Sequence, residues 1–200
     1  MRFDRMEPGR LESLMLAATV ELGLPDARGR NGMDRLSDTR PRSVLSEAEV
    51  RSFERQYGVT LPRDYRGFLM TVGDGGPGPY HGIWSLSESY GPGDEAWWPG
   101  FLATPFLHTQ AVNPDDLDDD YDQDRLVTGS MIISDMGCGA FVRLVVTGTV
   151  SGQVWFDTLG IDDTLTPGPA FGDWYQAWAA SWPRRVITSL LKLRGAAGGR

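Results

Sequence analysis

The chain has 200 residues, of which 40% are hydrophobic and 10% aromatic, a composition typical of a globular domain rather than a disordered chain. Its formal net charge of −8 disfavours nucleic acid or an anionic membrane as a partner and favours a basic protein. Cys138 is the single cysteine, which excludes an intrachain disulfide, and no apolar run approaches the ~20 residues that cross a bilayer. We therefore expect a cytoplasmic protein with one main domain.

The first predicted element is an amphipathic helix over residues 10–22. Its apolar residues recur at helical spacing: Leu11, Leu14, Met15, Ala18 and Leu22. Residues 25–43 carry proline, glycine and charge without periodicity, which predicts a linker. We therefore divide the chain into an N-terminal helix and linker (1–44), a central domain (45–182), and a C-terminal helix and tail (183–200). Packing of the first helix on the domain is favoured over partner binding.

Two short helices that meet at a tight elbow are predicted within residues 45–76. Ser46 and Glu49 have the spacing of a capping box, so the first helix begins at Ser46, and Gly58 ends it. Pro62 opens the second helix, because proline suits the first helical position. The apolar faces follow helical spacing: Val50, Phe53 and Tyr57 in the first helix, and Tyr65, Phe68, Leu69 and Val72 in the second.

A reversal of the chain is predicted directly after the second helix. Gly75 or Gly76 should take a positive φ there, because only glycine enters that region at little steric cost. The glycines of residues 73–78 also match G-x-G-x-x-G by letter. The dinucleotide motif must leave a strand and open a helix, whereas these glycines leave a helix and Pro77 argues against another, so the match is accidental. We expect the turn to lead into a strand at residues 81–86.

An acidic run, NPDDLDDDYDQD, covers residues 113–124. It lacks the glycine and the glutamate of an EF-hand loop, so we predict no metal site. A solvated acidic face is the first interpretation, and a partner-binding loop is the alternative. In that alternative Leu117 and Tyr121 are the apolar anchors of the contact. The candidate partner-binding residues are then Asp115, Asp116, Leu117, Asp118, Asp119, Asp120, Tyr121, Asp122 and Asp124.

After residue 126 the pattern changes to strands. Short β-branched and aromatic segments predict three of them, at residues 131–134, 141–147 and 152–156, with glycine turns between. A helix follows from residue 170, with one aromatic face: Phe171, Trp174, Tyr175 and Trp178. Such a face is usually core, so we expect both tryptophans to be buried. A last amphipathic helix is predicted near residues 186–193. The fold class is α+β: a mainly antiparallel sheet over residues 81–157, flanked by helices.

Short motif blocks also occur in a fixed serial order. The early blocks are the capping box, Phe53, Tyr57-Gly58, Leu61-Pro62, Asp64-Tyr65, Phe68-Leu69 and Gly75-Gly76; the later ones are Ile133-Ser134-Asp135, Gly137-Cys138-Gly139, Gly152-Gln153-Val154-Trp155, Phe171, Trp174 and Trp178. This order resembles the SUKH superfamily over residues 45–180, although Asp74 stands where asparagine is usual. The superfamily includes Smi/Knr-type regulators of fungal cell-wall synthesis and bacterial immunity proteins that neutralise toxins. The resemblance implies a SUKH-like (Smi/Knr-like) α+β domain.

Few residues are candidates for catalysis. His81 and His108 lie outside recognisable catalytic motifs, and no nucleophile elbow or Cys-His motif surrounds Cys138. The usual structural zinc ligand sets and a Walker-type phosphate loop are also missing from the sequence. We therefore expect no catalytic, cofactor or metal site. The resemblance implies a non-catalytic immunity protein that binds a basic toxin domain. A regulatory scaffold related to cell-wall synthesis and an enzyme of unrecognised type are the alternatives.

Overall fold

The computed structural model describes residues 42–90, 99–113, 123–161 and 164–181. The helices and strands in these residues are α1 (Glu47–Tyr57), α2 (Arg63–Thr71), α3 (Leu86–Ser89), α4 (Gln123–Leu126), β1 (Ser130–Gly137), β2 (Ala140–Val145), β3 (Gln153–Asp157), β4 (Leu165–Ala170) and α5 (residues 171–181). The four strands form one antiparallel sheet in the order β1-β2-β3-β4. The predicted α+β class is confirmed. The helices predicted at residues 10–22 and near residues 186–193 lie outside the described residues.

Local hydrogen bonds cap the first helix of the elbow as the sequence predicts, whereas Pro62 lies one residue before α2, as its N-cap, and not at the first helical position. The Glu49 N–H donates to the Ser46 hydroxyl (3.3 Å), and the Ser46 N–H donates to the Glu49 carboxylate (2.8 Å). Gly58 ends α1 in the left-handed conformation, at φ 66°. Arg66 of α2 reaches back to α1, where its Nη2 lies 2.7 Å from Glu47 Oε1. The hydrogen bonds from Arg66 and from Arg51 together lower the pKa of Glu47 to about 2.

The two faces of the sheet carry different side chains because successive residues of a strand point to opposite sides. Val142 of β2 is fully buried on one face. On the other face Arg143 lies opposite Trp155 and forms an almost fully buried ion pair with Asp157. Asp157 also accepts the backbone N–H of Leu159 (3.1 Å). Such additional hydrogen bonds offset part of the lost hydration of a buried charge pair.

The prediction of a strand at residues 81–86 is wrong. The N–H groups of His81 and Trp84 donate to carbonyls of β1, so the segment lies along the outer edge of the sheet without becoming a strand. Gly82 takes φ 94°, which interrupts an extended conformation. Ser85 then caps α3 through a second capping box. The segment covers the exposed edge of β1, and such cover protects an edge strand from pairing with other chains.

The sheet was predicted to end at residue 157, but it continues through β4 to Ala170. This strand contains Pro167, Gly168 and Pro169, which the sequence pattern excludes from an ordinary strand. Proline is tolerated at the edge of a sheet because its missing N–H interrupts fewer ladder bonds there. β4 lies at that edge, where its outer side is bridged at Leu165 by Val112.

Aromatic side chains join α2 to α5 in the core. The ring of Phe68 lies 5.5 Å from that of Phe171 and 4.9 Å from that of Tyr175, both in edge-on geometry. Trp174 and Trp178 are buried, as predicted. Truncation of a core aromatic residue to alanine costs about 3–5 kcal/mol, so the aromatic face of α5 is a major source of stability.

Candidate functional site

Most of the acidic stretch lies outside the described residues. This applies to Asp115, Asp116, Leu117, Asp118, Asp119, Asp120, Tyr121 and Asp122. Its flanks are described: Val112 exchanges hydrogen bonds of 2.8 and 2.9 Å with Leu165 of β4, and Asp124 belongs to α4, which precedes β1. The start of the stretch is therefore anchored on β4, and its end leads through α4 into β1. The partner contact predicted for the stretch itself stays a prediction.

The motif blocks of the sequence are connected inside the domain through their own residues and the residues beside them. The buried Tyr175 hydroxyl donates to the Pro77 carbonyl (3.0 Å) across 98 residues of sequence. The buried Ser134 hydroxyl donates to the Pro79 carbonyl (3.1 Å). These bonds tie the glycine-rich turn to α5 on one side and to β1 on the other. The motif blocks therefore hold the fold together, and most of their side chains are not available to a partner.

Asp74 connects the same turn to α3. Its Oδ1 accepts the Leu86 N–H (2.7 Å), in the first turn of that helix. Burial raises the pKa of the Asp74 carboxyl above its ordinary value, because the ionised form loses hydration. The neighbouring glycines confirm the predicted reversal, with φ 86° at Gly75 and 116° at Gly76. An asparagine at residue 74 could accept the same hydrogen bond without carrying a buried charge.

One end of the sheet exposes a group of side chains around the β1–β2 turn. A Cβ on Gly137 would lie 3.3 Å from the His81 ring, and a Cβ on Gly160 would lie 3.3 Å from the Gly139 carbonyl. The β1–β2 turn therefore lies between the segment around His81, which runs along the outer edge of β1, and the β3–β4 loop. We define the hairpin-tip surface as Tyr80, His81, Asp135, Cys138 and Ile161.

The hairpin-tip surface lies at the same end of the sheet as the start of the acidic stretch. In an antiparallel sheet β1 ends, β2 begins and β4 begins at one end. Val112 pairs with Leu165, the first residue of β4, so Asn113 leaves the sheet at that end. Within the surface, His81 Nδ1 lies 3.9 Å from Asp135 Oδ1. The described geometry therefore brings apolar and acidic groups together there.

Backbone strain is concentrated on the hairpin-tip surface. Tyr80 and Cys138 have φ values of 57° and 56°, and they are the two non-glycine residues with positive φ in the described part of the chain. A positive φ is uncommon outside glycine and is an outlier for a bulky residue such as tyrosine. Strain of this kind persists where the surrounding structure enforces it, and it is often found at functional sites.

A comparison with protein families identifies the domain that carries these features. The model of the SMI1/KNR4 family (SUKH-1) matches residues 44–177. The chain belongs to this family. The predicted SUKH resemblance is thereby confirmed, and the family includes immunity proteins, is generally non-catalytic and typically binds toxins. No curated protein and no solved structure matches the chain.

The two histidines of the SUKH-1 domain have different surroundings. His108 packs against the rings of Phe106 and Trp155 and hydrogen-bonds to the backbone of Leu126. Burial lowers the pKa of its imidazole, which favours the neutral form. His81 is exposed on the hairpin-tip surface. Across the described ranges, no cluster of three or more acidic, histidine or cysteine side chains has the arrangement of a metal site, and no helix could span a membrane.

A cleft of about 510 Å³ separates the N-terminus of α2 from the β2–β3 turn. Its walls are formed by Pro62, Arg63, Asp64, Val150, Ser151, Gly152, Gln153 and Ala170. The Asp64 carboxylate lies against Gly172 at the start of α5, 2.7 Å from the position of a Cβ there. A carboxylate at a helix N-terminus complements the helix dipole, so Asp64 serves the junction of two helices. The cleft is therefore part of the scaffold.

The hairpin-tip surface cannot be recognised from the periodicity and motifs of the sequence. The sequence pattern predicts a turn at Cys138 and a strand at His81, and it contains no sign that the two residues lie at one end of the sheet. One signal is present in Ile161, an apolar residue that follows Gly160 between the last predicted strand and the helix predicted from residue 170. The position of Ile161 at this end of the sheet depends on the pairing of β3 with β4. The prolines of β4 prevent that strand from being predicted.

Proposed function

We propose that this SUKH-1 protein is a non-catalytic immunity protein, which binds a cognate toxin domain in the cytoplasm and blocks the active surface of that toxin. Membership of a family that includes immunity proteins carries the proposal. The formal net charge of −8 supports a basic partner, because opposite charges speed the encounter of two proteins and fix their orientation. Toxins that act on nucleic acids need basic surfaces of this kind to hold phosphates.

Within this proposal, the acidic stretch contributes to the contact with the toxin. Asp115, Asp116, Asp118, Asp119, Asp120, Asp122 and Asp124 compete with phosphates for the basic surface of the partner, and Leu117 and Tyr121 act as apolar anchors. The charge of the stretch increases the rate of association more than it fixes specificity.

Co-expression tests the function directly. A toxin domain encoded beside the gene of this chain is expressed in bacteria with and without the chain, and growth is followed. We expect the chain to restore growth, while a catalytically inactive toxin leaves growth unaffected in both cases. A folded, well-expressed chain that gives no protection would refute the immunity function. Altered cell-wall composition on deletion, without a neighbouring toxin gene, would favour the regulatory scaffold instead.

Charge neutralisation tests the acidic stretch. Replacement of Asp115, Asp116, Asp119 and Asp120 by asparagine should slow association with the inactive toxin domain and reduce its dependence on salt, since fewer charges attract the partner. A matched control replaces four aspartates outside the family match: Asp4, Asp26, Asp34 and Asp38. Both variants change the net charge by the same amount. Equal association rates and salt slopes in the two variants would show that the stretch is only a solvated face.

A further inference from the structure

We propose that the hairpin-tip surface is the docking surface of this SUKH-1 domain for a basic partner protein. Tyr80 and Ile161 are the apolar anchors on either side of the turn at Cys138, and Asp135 receives a lysine or arginine of the partner. The inference rests on the proposed function, and it adds the location of the contact within the described structure.

Exposure of large apolar side chains supports this location. Four large hydrophobic residues are clearly exposed in the described structure: Val44, Tyr80, Leu107 and Ile161. Tyr80, exposed by 53%, and Ile161, exposed by 47%, belong to the hairpin-tip surface. Binding energy at protein interfaces concentrates in a few such anchors, among which tyrosine is common. The two exposed anchors therefore give one end of the sheet the composition of an interface.

The backbone of Tyr80 is held in place before any partner binds. The Gly82 N–H donates to the Pro79 carbonyl (3.1 Å), the Ser134 hydroxyl donates to the same carbonyl, and the His81 N–H donates to the Asp135 carbonyl (3.2 Å). These bonds maintain the positive φ of Tyr80 and direct its ring outward. An anchor that is already ordered loses less conformational entropy on binding, so its burial gives more affinity.

The charge of the surface indicates the kind of partner. The Asp135 side chain is partly exposed, and its Oδ1 accepts the Gly137 N–H (2.6 Å), which fixes the carboxylate. The nearby His81 imidazole is 3.9 Å from the same oxygen. With a chain charge of −8, a fixed carboxylate between apolar anchors suits a partner that presents lysine or arginine beside an apolar pocket.

Cys138 provides a direct test, because it is the single cysteine of the chain and is exposed within the surface. The probe is the inactive toxin domain encoded beside the gene, with its own cysteines replaced. We expect saturating probe to slow alkylation of Cys138 by a bulky maleimide at least tenfold. In the control variant, Cys138→Ser with Leu107→Cys, the thiol should stay reactive. Leu107 is 72% exposed and follows Phe106, which bridges Gly148 at the other end of the sheet.

Affinity measurements complete the test. Tyr80→Ala and Ile161→Ala should each weaken binding of the same probe at least tenfold, whereas Leu107→Ala should not. Tyr80→Gly should bind as weakly as Tyr80→Ala while the melting temperature is kept or raised, because glycine removes the strain at this position. That combination separates lost contact from lost folding.

The outcomes distinguish the surface from the function. If the wild-type chain does not bind the probe, the proposed function fails and the docking surface fails with it. If the chain binds the probe, yet Cys138 reacts at its free rate and the Tyr80 and Ile161 variants bind normally, the hairpin-tip surface is overturned while the immunity function stands.

Discussion

The reversal at Gly75 allows a quantitative test of what the paired glycines contribute. Gly75 has φ 86°, and a Cβ at this position would lie 2.8 Å from the Ile83 carbonyl oxygen and 2.8 Å from the Ser85 nitrogen. Gly58 is a matched control, because it also has a positive φ, of 66°, but a Cβ there would meet nothing within 4 Å. Replacement by alanine therefore imposes similar backbone strain at both positions, and it adds a steric collision only at Gly75.

The expected losses in the free energy of unfolding follow from the backbone strain and the steric collision. A left-handed conformation costs a non-glycine residue about 1–2 kcal/mol, which should be the whole loss in the free energy of unfolding for Gly58→Ala. Gly75→Ala adds a collision with backbone atoms that cannot rotate away, and overpacking of this kind costs about 1–3 kcal/mol more. We therefore expect Gly75→Ala to lose about 2–5 kcal/mol, a large part of the roughly 5–15 kcal/mol that stabilises a domain.

Urea unfolding of the wild type and the two variants measures both losses. Parallel transitions with an unchanged slope would attribute the difference to native-state stability. Equal losses in the free energy of unfolding for the two alanine variants would refute this expectation, because the close approach of Gly75 to the segment before α3 would then have no energetic effect.

Two further substitutions test a buried charge and a single buried hydrogen bond. Burial raises the pKa of Asp74, so the wild type should lose stability as the pH rises from the unfolded pKa of about 3.9 through the folded value. Asp74→Asn should remove this loss while keeping the bond to Leu86. The variant should therefore be at least as stable as the wild type at pH 7 and equally stable in acid. An identical pH dependence of the melting temperature in the two proteins would contradict this expectation. Tyr175→Phe leaves the Pro77 carbonyl without its donor and should cost about 1–3 kcal/mol in urea unfolding. Tyr80→Phe, which alters an exposed ring, should not measurably change the free energy of unfolding. Equal losses for Tyr175→Phe and Tyr80→Phe would contradict the stabilising role of the Tyr175 hydroxyl.

Local chemistry explains which parts of the fold could be predicted from the sequence. The capping box at Ser46 and the left-handed Gly58 depend on residues within one or two turns, and both are observed. The apolar residues after residue 80 favour a strand, but Ser85 and Glu88 form a second capping box that begins a helix there. β4 could not be predicted, because Pro167 and Pro169 are tolerated only through its position at the edge of the sheet.

The candidate site was less predictable than the fold. Motif blocks identify the family because they are spaced along the sequence, but Ser134 of one block, like Tyr175 beside another, connects parts of the interior. The exposed side chains of Tyr80 and Ile161 are separated by more than half of the domain in sequence, and only the pairing of the strands brings them to one end of the sheet. In a single sequence, the apolar Ile161 beside Gly160 is the one local signal for such a surface.

The hydrogen bond between Tyr175 and Pro77 has a consequence for how the chain matures on the ribosome. The two residues are 98 positions apart, so at a synthesis rate of about 5–20 residues per second, roughly 5–20 s pass between their additions to the chain. The elbow of α1 and α2 can form during this interval from its own caps, whereas the glycine-rich turn has water as the partner of its Pro77 carbonyl. Completion of the turn therefore awaits the emergence of α5, and until then the nascent domain is open along the surface that this helix covers.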